Sequence, residues 1–126
     1  MKKIKLFEGE IKLMELLWEH EGESAKQLSL LAAERIGWNK NTTYTVIKKL
    51  IDKGAIKRTE PGFLCHSLIG REEAGREEAK EVLRSFFGGS VKALFSSFMS
   101  DGTLSEQEAG ELRKLIDEHG GRDDGL

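Results

Sequence analysis

Trp38-Asn39-Lys40-Asn41-Thr42-Thr43-Tyr44-Thr45-Val46-Ile47-Lys48-Lys49-Leu50-Ile51-Asp52-Lys53-Gly54 is the stretch whose reading decides the fold. Thr43, Val46, Ile47, Leu50 and Ile51 recur at helical spacing and form one apolar stripe. Asn41, Thr45, Lys48, Lys49 and Asp52 fall on the opposite side, with Thr42 and Tyr44 at its borders. Asn39 or Asn41 can cap the start, and Gly54 stands where a helix end needs a left-handed residue. A helix that buries one side and offers Asn, Thr, Tyr and Lys on the other suits a major groove. Amides and hydroxyls can reach base edges there while ammonium groups neutralise phosphate. A solvated amphipathic helix would show the same stripe, so the flanking elements must decide.

Downstream, Ala55 to Leu68 contains two short strand-like runs around Pro61-Gly62, a pair suited to a tight turn. A polar helix followed at once by a small hairpin is the order of a winged helix-turn-helix. Upstream, Phe7, Ile11, Met14 and Trp18 define one helix face, widened by Leu13, Leu16 and Leu17. Ser24-Ala25-Lys26-Gln27 has the capping-box pattern and opens a helix with Leu28, Leu31, Ala32 and Ile36 inward, ended by Gly37. The expected fold is therefore mainly α: an N-terminal winged helix-turn-helix with a small β-hairpin wing over 1–70, then a helical dimerisation domain over 71–126.

Charge supports this only when divided by region. The 126 residues carry a formal −2, which taken alone argues against nucleic acid. Residues 1–58 hold 12 Lys and Arg against 8 Asp and Glu, a balance of +4, while 59–126 hold 8 against 14, a balance of −6. Within 38–58, Lys40, Lys48, Lys49, Lys53, Lys57 and Arg58 face only Asp52, a local +5. The positive charge sits on the proposed recognition helix and wing, where phosphate contact requires it. The expected DNA-contacting residues are Lys40, Asn41, Thr42, Tyr44, Thr45, Lys48, Lys49, Lys57 and Arg58. A winged-helix module that binds protein instead of DNA is the alternative, and it would have no need of the local +5.

Residues 71–99 read as helix in two pieces, broken at Gly88-Gly89 and restarted at Ser90, a capping residue. Leu104-Ser105-Glu106-Gln107-Glu108 is a second capping box with Leu104 as its staple, followed by Leu112, Leu115 and Ile116 on one face. Phe86, Phe87, Val91, Leu94, Phe95, Phe98 and Leu112 hold more apolar surface than so few helices can bury internally. A partner chain is the simplest cover, and packing back onto the winged helix is the other. Gly120 to Leu126 is expected to fray.

Composition limits the remaining classes. With 38% hydrophobic and 33% charged residues the chain reads as folded and soluble. No apolar run is long enough to span a membrane and no signal-peptide core is present, so a cytoplasmic location is expected without membrane insertion. Cys65 is the only cysteine, which rules out an intrachain disulfide. Cys65 with His66 could be half a metal site or a packed strand residue beside an imidazole, and residue statistics favour packing. His20 and His119 lie near expected helix ends. The chain contains no HExxH, CxxC, P-loop or GxSxG pattern. No enzyme, cofactor or metal site is expected.

At this point the chain resembles the penicillinase-repressor family, the BlaI/MecI/CopY group of bacterial winged-helix repressors. The resemblance is carried by Met14-Glu15-Leu16-Leu17-Trp18, Trp38-Asn39, Thr42 to Leu50, Lys53-Gly54-Ala55, Phe86-Phe87-Gly88-Gly89-Ser90 and Leu104-Ser105-x-x-Glu108, in order from about residue 6 to 117. It implies a homodimer, joined by its C-terminal helices, that occupies a palindromic operator and blocks transcription. In the resistance branch a membrane sensor protease detects a β-lactam and the repressor is cut at an Asn-Phe bond. The collinear pair here is Ser97-Phe98, in which Phe98 matches and Ser97 departs. The copper branch uses paired Cys-x-Cys motifs, which this chain lacks. Tyr44 stands where the family often has a basic residue, so the resemblance does not fix the operator as the family's usual one.

Overall fold

The computed structural model describes residues 4–123. They form α1 (Glu8–Glu19), α2 (Ala25–Arg35), α3 (Lys40–Lys53), β1 (Ile56–Thr59), β2 (Leu64–Ser67), α4 (Arg71–Phe87), α5 (Val91–Ser100) and α6 (Glu106–Asp123). This is the winged-helix order of elements, mainly α with one small hairpin, as the sequence leads one to expect. The chain separates into two compact units, Met1–Ala79 and Lys80–Leu126.

In the first unit, Leu13, Met14, Leu17, Leu28, Ile47, Leu50 and Ile56 are fully buried and form a core shared by all three helices and the hairpin. The inward stripe of α1 is rotated from the one expected. Glu10, Leu13, Met14 and Leu17 occupy i, i+3, i+4 and i+7 and are buried, whereas Ile11 and Trp18 lie at the border of the core. Phe7 precedes the helix and is 60% exposed. The stripe is offset because it includes a carboxylate. Glu10 is buried since Lys53 at the end of α3 supplies its counter-charge at 2.5 Å and the Phe7 amide donates to it at 2.8 Å.

Local chemistry sets the helix ends. Ser24 Oγ accepts from Gln27 N at 3.1 Å and Asn39 Oδ1 accepts from Thr42 N at 2.8 Å, so Asn39 and not Asn41 caps α3. Gly54 ends α3 at φ +84°, a left-handed conformation that a Cβ would strain.

The hairpin is antiparallel, with Ile56 opposite Ser67 and Thr59 opposite Leu64. A third segment, which the sequence did not announce, joins it. Between α1 and α2, Ser24 bridges Leu64, Gly22 N donates to Cys65 O, Cys65 N to Glu23 O and Ala25 N to Phe63 O. These bonds cover one edge of β2 and tie the wing to the helices.

The first unit extends past the boundary expected at residue 70. Trp18 Nε1 donates to Ile69 O at 2.9 Å, Arg71 lies over the Trp18 ring, and Ala74 in α4 is buried. The opening turns of α4 therefore complete this core.

The second unit contains the end of α4, α5 and α6. Gly88 and Gly89 take φ +58° and +81° and break the helix, and Ser90 Oγ restarts it by accepting from Ala93 N at 3.0 Å. Ser105 Oγ accepts from Glu108 N at 3.1 Å to open α6. That helix runs on through Asp123, past Gly120 where fraying is expected, and 124–126 lie outside the described residues.

Candidate nucleic-acid interface

α3 divides into a buried and an exposed face, with Tyr44, Val46, Ile51 and Lys53 half-buried at the borders. Thr43, Ile47 and Leu50 are buried, and the Thr43 hydroxyl is satisfied inward by Asn39 O at 3.1 Å. Lys40, Asn41, Thr42, Thr45, Lys48 and Lys49 are all exposed. Helical spacing brings Asn41, Thr45 and Lys48 onto one solvent-facing strip, with Lys49 one turn beyond Thr45. Among the described residues Lys48, Lys49 and Lys57 make no ion pair, so their ammonium groups are free for an external anion.

Three expected contact residues are engaged within the protein. Tyr44 is half-buried, and its ring meets Phe63 edge to face at 5.9 Å between centroids. The Lys40 ammonium sits 5.8 Å from the Tyr44 ring centroid. On the other side of Phe63, the Arg58 guanidinium lies 3.7 Å from the ring centroid and is also paired with Glu60. Lys40, Tyr44, Phe63 and Arg58 thus form a continuous stack from the start of α3 to the wing.

The local +5 is consequently not all available. Lys53 turns away from the outer face to Glu10 and to the Lys5 carbonyl at 2.7 Å, with its ammonium 4.4 Å from the Phe7 ring centroid. Arg58 is met by Glu60, which lies just outside the 38–58 window. The Arg58 hydrogen bond, followed by the Phe63 amide, holds the Glu60 carboxyl below its ordinary range. Sequence reading missed Glu60 and Phe63. β1 ends at Thr59 and Glu60 opens the turn, so the available signal was a cation and a carboxylate two residues apart beside Pro61-Gly62.

Cys65 and His66 diverge, as neighbours on a strand must. Cys65 is buried and its thiol is pushed up to about 11 by that burial. The ring Nε2 of His66 pairs with Thr59 Oγ1 at 2.9 Å. Among the described residues no cluster of three or more His, Cys, Asp or Glu side chains is arranged to hold a metal. No helix among them is long and apolar enough to cross a membrane.

In the second unit no side chain of residues 80–120 is fully buried. Phe86 is 79% exposed and Val91 50%, while Phe87, Leu94, Phe95, Phe98 and Leu112 are half-buried. Phe95, Met99, Leu104, Leu112 and Ile116 line an open apolar groove of about 280 Å³ between α5 and α6. Ser97 is exposed and Phe98 half-buried, both inside α5.

The element order and the two-faced α3 define a winged-helix protein. A family model described as penicillinase repressor matches residues 7–118, and the chain belongs to that family of transcriptional regulators. It is similar to the penicillinase repressor of Bacillus licheniformis, with 25% identity over 125 residues covering 97% of this chain and 98% of the other. The penicillinase repressor of Staphylococcus aureus is 25% identical over 119 residues, 93% of this chain and 94% of its own. The methicillin resistance regulatory protein MecI of Staphylococcus aureus strain N315 is 24% identical over 117 residues, 91% and 95% of the two chains. The likeness runs nearly end to end in every case.

Proposed function

We propose that this chain acts as a homodimer that occupies a palindromic operator in double-stranded DNA and blocks transcription until a signal releases it. The observation that carries this reading is the outer face of α3. Asn41, Thr42 and Thr45 stand exposed there beside Lys48 and Lys49, which make no ion pair among the described residues, and the wing adds Lys57. Hydroxyls and an amide can read base edges, and the three lysines supply contacts to phosphates on either side. Tyr44 acts differently from the other α3 residues: its ring orients the wing through Phe63. The exposed apolar side chains of the second unit, Phe86 foremost, supply the two-fold contact, which pairs two recognition helices on the two half-sites.

Release by a membrane sensor protease is proposed at Ser97-Phe98. Both residues are helical, and a protease takes its substrate extended, so α5 must open locally before cleavage. Partner and bond are tested together by incubating the chain with the protease domain of a β-lactam sensor and mapping the products by mass: a cut at Ser97-Phe98 is expected, and an intact chain would overturn this route of release.

The central test is fluorescence anisotropy with a pool of genomic duplex fragments across a salt series. Selective retention of a palindromic fragment, with affinity falling steeply as salt rises, is expected. Absence of duplex binding at low salt would overturn the reading in favour of a protein-binding winged helix.

A further inference from the structure

We infer that Glu60 is an internal competitor for the wing's phosphate contact. It occupies the Arg58 guanidinium in the free protein and so holds down affinity for DNA of any sequence. This rests on the duplex-binding reading above. Arg58 Nε donates to Glu60 Oε2, and the other carboxylate oxygen, Oε1, accepts from the Phe63 amide at 3.2 Å. The guanidinium carbon lies over the Phe63 ring, 3.7 Å from its centroid, so the group is approached by the aromatic as well as by the carboxylate at Nε.

The pair is nevertheless reachable. Arg58 and Glu60 side chains are 46% and 54% exposed, and neither is held by a second ion pair among the described residues. A phosphodiester offers a guanidinium what the carboxylate offers, an anionic oxygen accepting from N–H. When the wing lies along a phosphate backbone, Arg58 must either exchange Glu60 for phosphate or hold both anions against their mutual repulsion. Exposed ion pairs are weak, so the exchange is accessible. Its cost falls equally on every duplex, because phosphate contacts carry no sequence information. Glu60 therefore lowers non-specific occupancy without touching the residues of α3 that read bases.

Glu60 also closes the 60–63 turn through the Phe63 amide, so the test must keep that acceptor. Glu60→Gln keeps a carbonyl oxygen and removes the charge, and Glu60→Ser is a second neutral variant at this half-exposed site. Both are titrated by anisotropy against a random-sequence duplex over a salt series, alone and in an Arg58→Gln background, with Lys57→Ala as a reference. The expected result for each is binding about two- to five-fold tighter, the range that breaking an exposed pair spans. The slope of log affinity against log salt should steepen by up to about 0.9, one added phosphate contact. At least half of the gain should vanish in the Arg58→Gln background. A gain of equal size in that background would mean plain repulsion of DNA by Glu60, and no gain would mean a purely structural carboxylate; either overturns the inference. Failure of the native chain to bind any duplex sinks the duplex-binding reading itself. Native binding that Lys57→Ala weakens, with neither Glu60 variant altering it, sinks only the role of Glu60.

Discussion

Thr45 and Lys49 stand one helical turn apart on the exposed side of α3, yet their chemistry suits different partners. A hydroxyl discriminates between base edges, whereas an ammonium group meets any phosphate. Lys49→Ala should weaken binding to operator and random duplex by a similar factor and flatten the salt slope by about 0.9. Thr45→Ala should leave the slope intact and reduce the preference for operator by about 1 kcal/mol, one net hydrogen bond. Competition titrations at several salt concentrations separate the two. At Cys65 the relevant chemistry is burial. Its thiol is pushed from 9.0 up to about 11, so the unfolded chain loses that proton first as pH rises. The resulting stability is complete below pH 9 and drains away towards pH 11, the sign expected for a group whose folded pKa is raised. A maleimide or disulfide reagent at pH 8 should label Cys65 only at the rate of unfolding, measurable by mass against time in increasing denaturant.

Element by element, the amount legible in the sequence depended on whether the stabilising partner was local. Caps act over three residues, so Ser24, Ser90 and Ser105 were all readable, and α3 was recognisable from its own period and its Gly54 stop. Asn39 competed with Asn41 for the same capping role until the geometry decided, and Asn39→Ala should cost about 0.5–2 kcal/mol in denaturant unfolding. Partners distant in sequence were not legible. Glu10 hid the inward face of α1 because its counter-charge is Lys53, 43 residues away. Lys53→Ala leaves that carboxylate buried without its partner, and destabilisation of about 1–3 kcal/mol is expected. The stack across Tyr44, Phe63 and Arg58 was equally hidden, and with it the reason Tyr44 differs from its neighbours on α3. Tyr44→Phe retains the edge-to-face contact, whereas Tyr44→Ala removes the ring that Phe63 of the wing turn packs against. Alanine should therefore weaken binding to all duplexes while phenylalanine leaves it near native, and a loss of sequence preference with phenylalanine would mean that the hydroxyl reads a base.

For the whole molecule, the division at Ala79 decides how assembly is tested. Ending the chain after Leu68 would remove Ile69, Arg71 and Ala74, which close the first core over Trp18. A chain ending at Ala79 keeps them and should fold by itself. The second unit has the opposite character, with large apolar side chains left uncovered. Phe86, Val91, Met99, Leu115 and Ile116 are each more than 40% exposed, and full burial of such a side chain is worth roughly 1.5–3 kcal/mol. An isologous contact covers the same residues on both copies at once, so each side chain contributes twice against the cost of association. Two recognition helices joined in this way would meet half-sites about 34 Å apart along the duplex. One helix and one wing, with few phosphate contacts, would bind weakly alone. Light scattering should therefore find the full chain dimeric and the 1–79 fragment monomeric, with operator affinity lost in the fragment despite its intact fold. Phe98→Asp places a charge among the side chains of that contact and should give a folded monomer by circular dichroism and scattering, again with weak operator binding. A full-length chain that remained monomeric at micromolar concentration, or a Phe98→Asp monomer that still held the palindrome tightly, would break the link between this apolar surface and repression.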